Sequence, residues 1–278
     1  MQAWYRQGCL LYLLNTDGVI RIVQITDTHL NAAEDGHLLG MKTLHSLRCV
    51  LSLMQLEEPD PHAIIVTGDL SQDGSESSYR HLHSELAAYR APSFWLPGNH
   101  DIPENMAAVI NGSHSSHRLI RTPHWQLVLL DSSVRGKVHG HLSDSEREFA
   151  VSCLQERPDL HTLVTFHHHP ISMDSRWIDT IGVRNGKDVM DELSAFSNLR
   201  CILWGHVHQE SDHQLGDIRM LSTPSTCVQF KPGSSDFEVD HQSPGFRWLH
   251  LFPDGRLETG VKRVEDIEFE VDYSVKGY

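Results

Sequence analysis

The sequence lacks the features that mark several broad classes of protein. Its five cysteines include no Cys-x-x-Cys pair, which disfavours a thiolate zinc site and a disulfide framework and favours a reducing compartment. No stretch approaches the roughly 18 consecutive apolar residues of a membrane span. The apolar patch at residues 9–14 is shorter than the roughly 7–15 apolar residues of a signal peptide. We therefore expect a cytoplasmic protein with no membrane partner.

Positive charge is also scarce. The chain has 23 Lys+Arg against 37 Asp+Glu, a formal net charge of −14, which argues against a broad electrostatic grip on nucleic acid or anionic lipid. A small phosphate ligand is still compatible with this balance if a metal supplies positive charge locally. At 278 residues with 39% hydrophobic content, the chain is long enough for one large domain, although length alone also allows two. We expect a single domain over residues 19–278 and a variable N-terminal extension over residues 1–18.

Strand-like and helix-like patterns alternate through the first three quarters of the chain. The β-branched runs VIRIVQIT, HAIIVTGDL, LVTF and LRCILW predict buried strands. Apolar residues at helical spacing predict a helix within residues 41–58, and Ser143 followed by Glu146 forms the pattern of a helix capping box. After Asp217, short strands dominate. This arrangement predicts an α/β fold in which two packed sheets are flanked by helices.

Five of the strand-like runs end in residues that commonly bind metals. These ends are Asp27-x-His29, Gly68-Asp69, Gly98-Asn99-His100-Asp101, His167-His168-His169-Pro170 and Gly205-His206-x-His208. Ligand sites in open α/β sheets lie at the carboxyl ends of strands, where the loops converge. Each piece alone also fits a turn or a helix cap, but five coincident strand ends favour one shared site.

The mixture of side chains at these ends indicates the kind of metal site. Imidazole suits zinc, iron, copper or nickel, whereas carboxylate and amide oxygens suit harder ions. A mixture without thiolate fits a pair of first-row ions, and a shared carboxylate can hold two ions roughly 3.5–4 Å apart. A structural zinc site would use four closed ligands, and the candidates here are too numerous for that interpretation.

In this order, the motifs D-x-H, G-D, G-N-H-D, H-H-x-P and G-H-x-H resemble those of the calcineurin-like metallophosphoesterases. The resemblance runs from about Arg21 to the C-terminus. It is greater still to the class III cyclic nucleotide phosphodiesterases, through GDLSQDGS, RGKVHGHLS and STPSTCVQFKPGSSDF. This resemblance implies a four-layer αββα sandwich of two mixed β-sheets flanked by helices, and an enzyme that hydrolyses 3′,5′-cyclic AMP to 5′-AMP.

The resemblance also implies a ligand set for two divalent metal ions. Iron(II) is the expected ion, with manganese, magnesium or zinc as substitutes. The implied ligands are Asp27, His29 and His208 for the first metal, Asn99, His168 and His206 for the second, and Asp69 as the bridge. Among the three consecutive histidines, His168 is the implied ligand because it lies two places before Pro170. Alternation of side chains along a strand then predicts that His167 and His169 point to the opposite side.

The resemblance implies that His100, which follows Asn99, is the catalytic residue and would stabilise or protonate the leaving 3′-oxygen. The alternative is a histidine that only hydrogen-bonds a metal ligand. The expected contacts to the cyclic nucleotide are His29, Asp69, Asn99, His100 and His208. Asp101 fits two roles, orienting His100 or capping the next helix. Arg184 and Asn185 could contact phosphate or sugar, or they could be surface groups. Residues 223–228 could line the cleft, or they could pack the second sheet.

Two rival functions remain open at the level of sequence. A related hydrolase with the same centre could act on a 2′,3′-cyclic nucleotide, a nucleotide sugar or nucleic acid, although a nuclease would usually have a basic groove. A non-enzymatic scaffold of the same fold is the second rival. Loss of ligands would be expected there, and none of the seven positions is missing.

Overall fold

The computed structural model describes residues 18–277. The expected N-terminal extension at residues 1–18 therefore lies outside the described residues except for Gly18, and the single-domain prediction stays a prediction. The helices are α1 (Thr43–Glu57), α2 (Glu76–Leu86), α3 (Pro103–Ile110), α4 (Asp144–Glu156) and α5 (Gly186–Leu193), with 3₁₀ turns at His114–Ser116 and Ile178–Thr180. None of the helices in the described part of the chain has the length and apolar character needed to cross a bilayer.

The strands form two main sheets and two small ribbons. In chain order they are β1 (Ile20–Ile25), β2 (His37–Leu38), β3 (Met41–Lys42), β4 (Ala63–Thr67), β5 (Ser93–Leu96), β6 (Leu119–Arg121), β7 (Trp125–Leu129), β8 (His161–Thr165), β9 (Leu199–Trp204), β10 (Ser211–Leu215), β11 (Ile218–Ser222), β12 (Gln229–Phe230), β13 (Val239–Asp240), β14 (Gly245–Leu251) and β15 (Leu257–Arg263). The first sheet has the order β15-β14-β1-β4-β5 and the second β10-β11-β9-β8-β7-β6. Strands β2 with β3 and β12 with β13 form the two ribbons.

Both main sheets are mixed. Strands β1, β4 and β5 run parallel in the first sheet, and β7, β8, β9 and β11 run parallel in the second. Antiparallel neighbours close the edges, with β14 beside β1, β15 beside β14, β10 beside β11, and β6 beside β7. The carboxyl ends of the parallel strands are the ends at which the candidate ligands follow in the sequence.

Side-chain alternation explains why the central strands are apolar on both faces. In β1, Ile20 and Ile22 lie in the core between the two sheets, whereas Val23 and Ile25 face the helices. Helices α1, α2 and α3 cover the outer face of the first sheet, and α4 and α5 cover that of the second. Each large apolar side chain buried in this way contributes about 1.5–3 kcal/mol. The expected four-layer αββα sandwich is therefore confirmed.

The capping box predicted at α4 is only half formed. Ser143 is the N-cap, and its hydroxyl accepts a hydrogen bond from the Glu146 N–H at 3.3 Å. The Glu146 carboxylate does not return to Ser143. It accepts hydrogen bonds from the Arg118 guanidinium and from the Asp131 N–H. The side chain therefore ties α4 to the loop after β7, a connection that local sequence cannot reveal.

Candidate metal centre

The first cluster of candidate ligands joins the ends of β1 and β9. The Nε2 atoms of His29 and His208 are 3.3 Å apart, and His208 Nε2 lies 3.3 Å from Asp27 Oδ1. The outer nitrogens of both rings face acceptors, since His29 Nδ1 is 2.7 Å from Gln72 Oε1 and His208 Nδ1 is 2.8 Å from the Val228 carbonyl. Each Nδ1 therefore carries the proton, and both Nε2 lone pairs point inward.

The second cluster lies on the other side of Asp69. His167 Nε2 is 3.2 Å from Asp69 Oδ2 and 3.2 Å from His206 Nδ1, while His167 Nδ1 donates to the Thr67 carbonyl at 2.8 Å. Asp69 Oδ2 is also 3.9 Å from His29 Nε2, so one carboxylate oxygen faces both clusters. The other oxygen, Oδ1, accepts the His100 N–H at 2.8 Å.

Two buried polar atoms of the candidate ligands have no hydrogen-bond partner within residues 18–277. They are Asn99 Oδ1 and His206 Nε2. Buried polar groups are normally hydrogen-bonded, so two such atoms among the candidate ligands fit a site that holds a cation. Nitrogen and oxygen ligand atoms also lie within 4.8 Å of one another in four overlapping sets, which are Asp27-His29-His208, Asp27-Asp69-His167, His29-Asp69-His100 and His167-His168-His206. The donor chemistry of both clusters therefore fits divalent cations.

The prediction for the orientation of the three consecutive histidines is wrong. We expected His167 to point away from the side that His168 faces, yet His167 is the ring beside Asp69, and both rings contact His206. Strand β8 ends at Thr165, so strict alternation no longer applies two residues later. His168 is buried, with Nδ1 2.8 Å from Ser132 Oγ and Nε2 3.1 Å from the Val138 carbonyl.

Charge and burial act in opposite directions on the shared carboxylate and its partner. Burial raises the pKa of Asp69, but the positive charges of His167 and then His100 hold that pKa well below its usual range. Burial likewise opposes protonation of His167, but Asp69 raises the pKa of His167 to about 9. Burial lowers the pKa of His29 to about 3. Asp69 is thus a charged carboxylate at neutral pH, and His29 is a neutral imidazole there.

The predicted role of Asp101 as a helix cap does not match the structure. Its carboxylate accepts the N–H groups of Leu70, Ser71 and Gly98 at 2.8–3.2 Å and the Tyr79 hydroxyl at 3.0 Å. Helix α3 has Ile102 as its N-cap, so Asp101 does not cap it. Burial, followed by the charge of Asp69, raises the pKa of Asp101 to about 6. Asp101 therefore fastens the loop after β4 to the loop after β5.

His100 is half-buried at the edge of the first cluster. Its ring meets that of His29 edge-on, with centroids 5.0 Å apart. The backbone of His100 is fixed by its hydrogen bond to Asp69. A ring nitrogen of His100 also lies within 4.8 Å of ligand atoms of His29 and Asp69.

The remaining candidates hold loops together. The Asn185 side chain hydrogen-bonds both backbone groups of Leu142, at 3.1 and 2.8 Å, so its expected contact with phosphate or sugar is not supported. Within residues 223–228, the Ser225 hydroxyl donates to the Asp27 carbonyl at 2.8 Å. Arg184 is exposed. Sequence reasoning missed Gln72, Ser132 and Phe230, because their partners lie at least 22 residues away in the chain.

Comparisons with known proteins agree with this geometry. A family model described as calcineurin-like phosphoesterase matches residues 20–210. A relative from Pseudomonas aeruginosa named 3′,5′-cyclic adenosine monophosphate phosphodiesterase CpdA is 46% identical over 263 residues, which is 95% of this chain and 97% of the relative. The relative of the same name from Escherichia coli K12 is 41% identical and covers 93% of this chain and 95% of its own length. A dimetal phosphatase structure from Danio rerio shares the fold, with a TM-score of 0.61 and 15% identity, over 90% of this chain and 100% of that one.

Proposed function

The chain belongs to the calcineurin-like phosphoesterase family, and from this premise we propose that it is a phosphodiesterase that hydrolyses 3′,5′-cyclic AMP to 5′-AMP. The observation that carries the chemistry is the convergence of two clusters on the single Asp69 carboxylate. The choice of substrate rests on relatives that are named for this reaction and match over nearly their full length. Hydrolysis of a cyclic nucleotide lowers its concentration in the cell.

The chain holds a dinuclear divalent metal site, for which we propose one ligand set. The first cation would be held by Asp27, His29 and His208, and the second by Asn99, His167 and His206, with Asp69 shared between them. We place His167 in this set instead of His168 because His167 Nε2 lies 3.2 Å from both Asp69 Oδ2 and His206 Nδ1, whereas the His168 ring nitrogens face Ser132 Oγ and the Val138 carbonyl. All these donors are nitrogen or oxygen, and the imidazole-rich set suits iron or zinc better than manganese or magnesium. Iron(II) is the proposed native ion, and the other three are substitutes.

When bound, the two cations would supply positive charge against the phosphoryl oxygens and would lower the pKa of a water to roughly 7. The chain's own residues do the rest. His29, Asp69, Asn99, His100 and His208 form the proposed contacts with the cyclic phosphate. Water adds to phosphorus and releases one proton to solvent, the bond to the 3′-oxygen breaks, and the His100 imidazolium gives its proton to that oxygen. The hydrogen bond from the His100 N–H to Asp69 keeps this ring at a fixed place beside the clusters.

The test is a substrate panel with the purified protein loaded with Mn²⁺. We expect 3′,5′-cyclic AMP to yield 5′-AMP, and a chelator to abolish turnover. Asn99→Ala should reduce turnover by at least roughly 100-fold, whereas Asn111→Ala, at an exposed position after α3, should retain it. Cleavage of mononucleotides, 2′,3′-cyclic nucleotides or bis-p-nitrophenyl phosphate without turnover of 3′,5′-cyclic AMP would refute the substrate assignment. An unaffected rate in Asn99→Ala would favour the scaffold interpretation.

We also propose that the enzyme works in the cytoplasm. The four described cysteines, Cys49, Cys153, Cys201 and Cys227, are all unpaired thiols, as expected in a reducing compartment. The net charge of −14 further supports a small-molecule substrate over nucleic acid. Immunolocalisation or fractionation of cells that produce the native chain tests the compartment, and recovery outside the cytoplasm would contradict this proposal.

A further inference from the structure

The middle histidine of the three makes a complete set of hydrogen bonds without any cation. His168 Nδ1 lies 2.8 Å from Ser132 Oγ, and His168 Nε2 lies 3.1 Å from the Val138 carbonyl. The backbone N–H of His168 also donates to Ser132 Oγ at 3.2 Å. The side chain is fully buried, so these three bonds replace the contacts that water would otherwise make.

The partners determine which ring nitrogen of His168 carries the proton. A carbonyl oxygen can only accept, so Nε2 must be the donor to Val138. In the neutral ring Nδ1 is then an acceptor, and it takes the Ser132 hydroxyl proton. Ser132 Oγ in turn accepts from the His168 backbone. Neither ring nitrogen therefore offers a free lone pair to a metal ion.

The His168 ring also joins two neighbours that face the cleft. Its centroid is 4.6 Å from that of His206. On its other side, a Cβ atom added to Gly140 would lie 2.5 Å from His168 Cγ, so the backbone at Gly140 packs directly on the ring. Gly140 is itself hydrogen-bonded to the Gly182 carbonyl at 3.2 Å and to the Arg184 N–H at 2.8 Å.

We propose that His168 is a positioning residue that fixes the His206 imidazole and the loop at residues 138–140, and that it does not bind a cation itself. The inference rests on the proposed function only in taking His206 as a ligand. His167, one residue earlier, is the matched comparison, because its Nε2 faces Asp69 whereas that of His168 faces a carbonyl.

Two substitutions at His168 separate positioning from ligation. In His168→Gln, an amide N–H can still donate to Val138 at about the place of Nε2. In His168→Leu, similar volume stays against His206 but the donor and the acceptor are lost. Ser132→Ala is a milder variant that removes one hydroxyl, and it covers the case in which His168→Leu fails to fold. His167→Gln serves as the ligand control.

The measurements need no substrate. Binding of Mn²⁺ to the metal-free chain is followed by calorimetry, and amide hydrogen exchange is followed over residues 137–142, where the His141 N–H donates to the Ser132 carbonyl at 2.9 Å. We expect His167→Gln to lose one of the two ions. His168→Gln should keep both. His168→Leu should keep both but bind the weaker one about 10-fold less tightly, with faster exchange at residues 137–142, and Ser132→Ala should shift both readouts in the same direction by less.

Two results would overturn the inference. Loss of one ion in His168→Gln, as in His167→Gln, would make His168 a ligand. Unchanged manganese affinity and unchanged exchange in both His168→Leu and Ser132→Ala would show that the ring positions nothing. Because neither readout uses a nucleotide, a failure of the wild-type chain to hydrolyse 3′,5′-cyclic AMP would refute the proposed function and leave this inference standing.

Discussion

Five residues of the two clusters share an uncommon backbone conformation. Their φ angles lie between 44° and 67°, in the left-handed region that non-glycine residues rarely adopt, and they are Asp27, His29, Asp69, His206 and His208. Such residues cost of order 1–3 kcal/mol each and persist where their surroundings determine them. Here one loop restrains another: the Asp27 N–H donates to Gly68 and the His29 N–H to Asp69. These backbone conformations therefore lower the stability of the protein, but they orient the five side chains before any ion binds.

Gln72 provides a prediction at the scale of a single side chain. Its Oε1 lies 2.7 Å from His29 Nδ1, and this bond keeps the Nε2 lone pair of His29 directed into the first cluster. Gln72→Leu removes the acceptor, so Mn²⁺ affinity should fall about 10-fold. Gln72→Glu retains an acceptor and makes His29 more basic, so affinity should be at least that of the wild type. Competition with a chelating dye measures both variants, and equal weakening in the two would contradict this role.

The elements show which parts of the site a sequence can predict. Strands β1, β4, β5, β8 and β9 are buried on both faces, so each reads as an apolar run that stops where the ligands begin. Strand β10 was missed because its residues are almost all exposed at a sheet edge and leave no apolar pattern. The orientation of His167 was missed because this residue lies beyond the end of β8, where side-chain direction depends on distant partners.

Two loops meet beside the first cluster through an aromatic contact that the sequence also did not reveal. The Trp177 ring lies 5.2 Å from Phe230 and 5.1 Å from Phe237, and Phe230 stacks on His208 at 4.1 Å. The Trp177 indole N–H donates to Ser234 Oγ at 3.1 Å. The segment after the three histidines is thereby joined to the β12–β13 ribbon.

Replacing Trp177 should loosen both loops without unfolding the sheets. In Trp177→Ala we expect amide exchange over residues 231–238 to quicken about 10-fold, because that ribbon loses its main apolar contact. The Lys231 N–H, which donates to the Glu238 carbonyl at 2.9 Å, is a convenient reporter. Trp177→Phe keeps a ring at the contact and should exchange nearly as the wild type does. Identical exchange in Trp177→Ala and wild type would show that the ribbon is held by its hydrogen bonds alone.

At the scale of the whole molecule, a buried cation links the two sheets. Arg247 of β14 donates to the carbonyls of Ser222 at 2.7 Å and Ser211 at 3.2 Å, across the interface in the second sheet. It also donates to the hydroxyls of Thr223 and Thr259, each at 3.2 Å. The residue is 1% exposed, and burial lowers its pKa to about 10, so it remains charged at neutral pH.

Arg247→Met tests whether these bonds outweigh the cost of burying the charge. Removing the donors leaves buried acceptors unsatisfied, at about 1–3 kcal/mol for each group that finds no other partner. We expect the free energy of unfolding to fall by about 3 kcal/mol in Arg247→Met. It should fall by less in Arg247→Lys, which keeps the charge and some bonds. Urea unfolding at unchanged m value measures both. A more stable Arg247→Met would mean that desolvation dominates, as it does for some buried ion pairs.

The clusters should also act as a link between the sheets, because each sheet contributes part of the cage. Asp27, His29 and Asp69 follow strands of the first sheet, whereas His167, His206 and His208 follow strands of the second. An ion that binds only the folded chain stabilises it by about 2.7 kcal/mol at 100 times its Kd. That amounts to a rise in Tm of roughly 5–10 °C for one site in a chain of this size. Saturating Mn²⁺ should therefore raise Tm, and chelator should reverse the rise.

Because both ions share the Asp69 carboxylate, substitutions can separate the rise in Tm that each ion causes. Asp69→Asn weakens the site for both ions, so most of the rise in Tm with Mn²⁺ should disappear. His29→Gln changes the first cluster alone, so it should remove about half of the rise in Tm with Mn²⁺. The exposed Asp60 provides the matched control, and Asp60→Asn should respond to Mn²⁺ as the wild type does. Differential scanning fluorimetry with and without the ion gives each increment. A full response in Asp69→Asn would mean that the stabilising ions bind elsewhere, and a complete loss in His29→Gln would mean that the two ions bind only together.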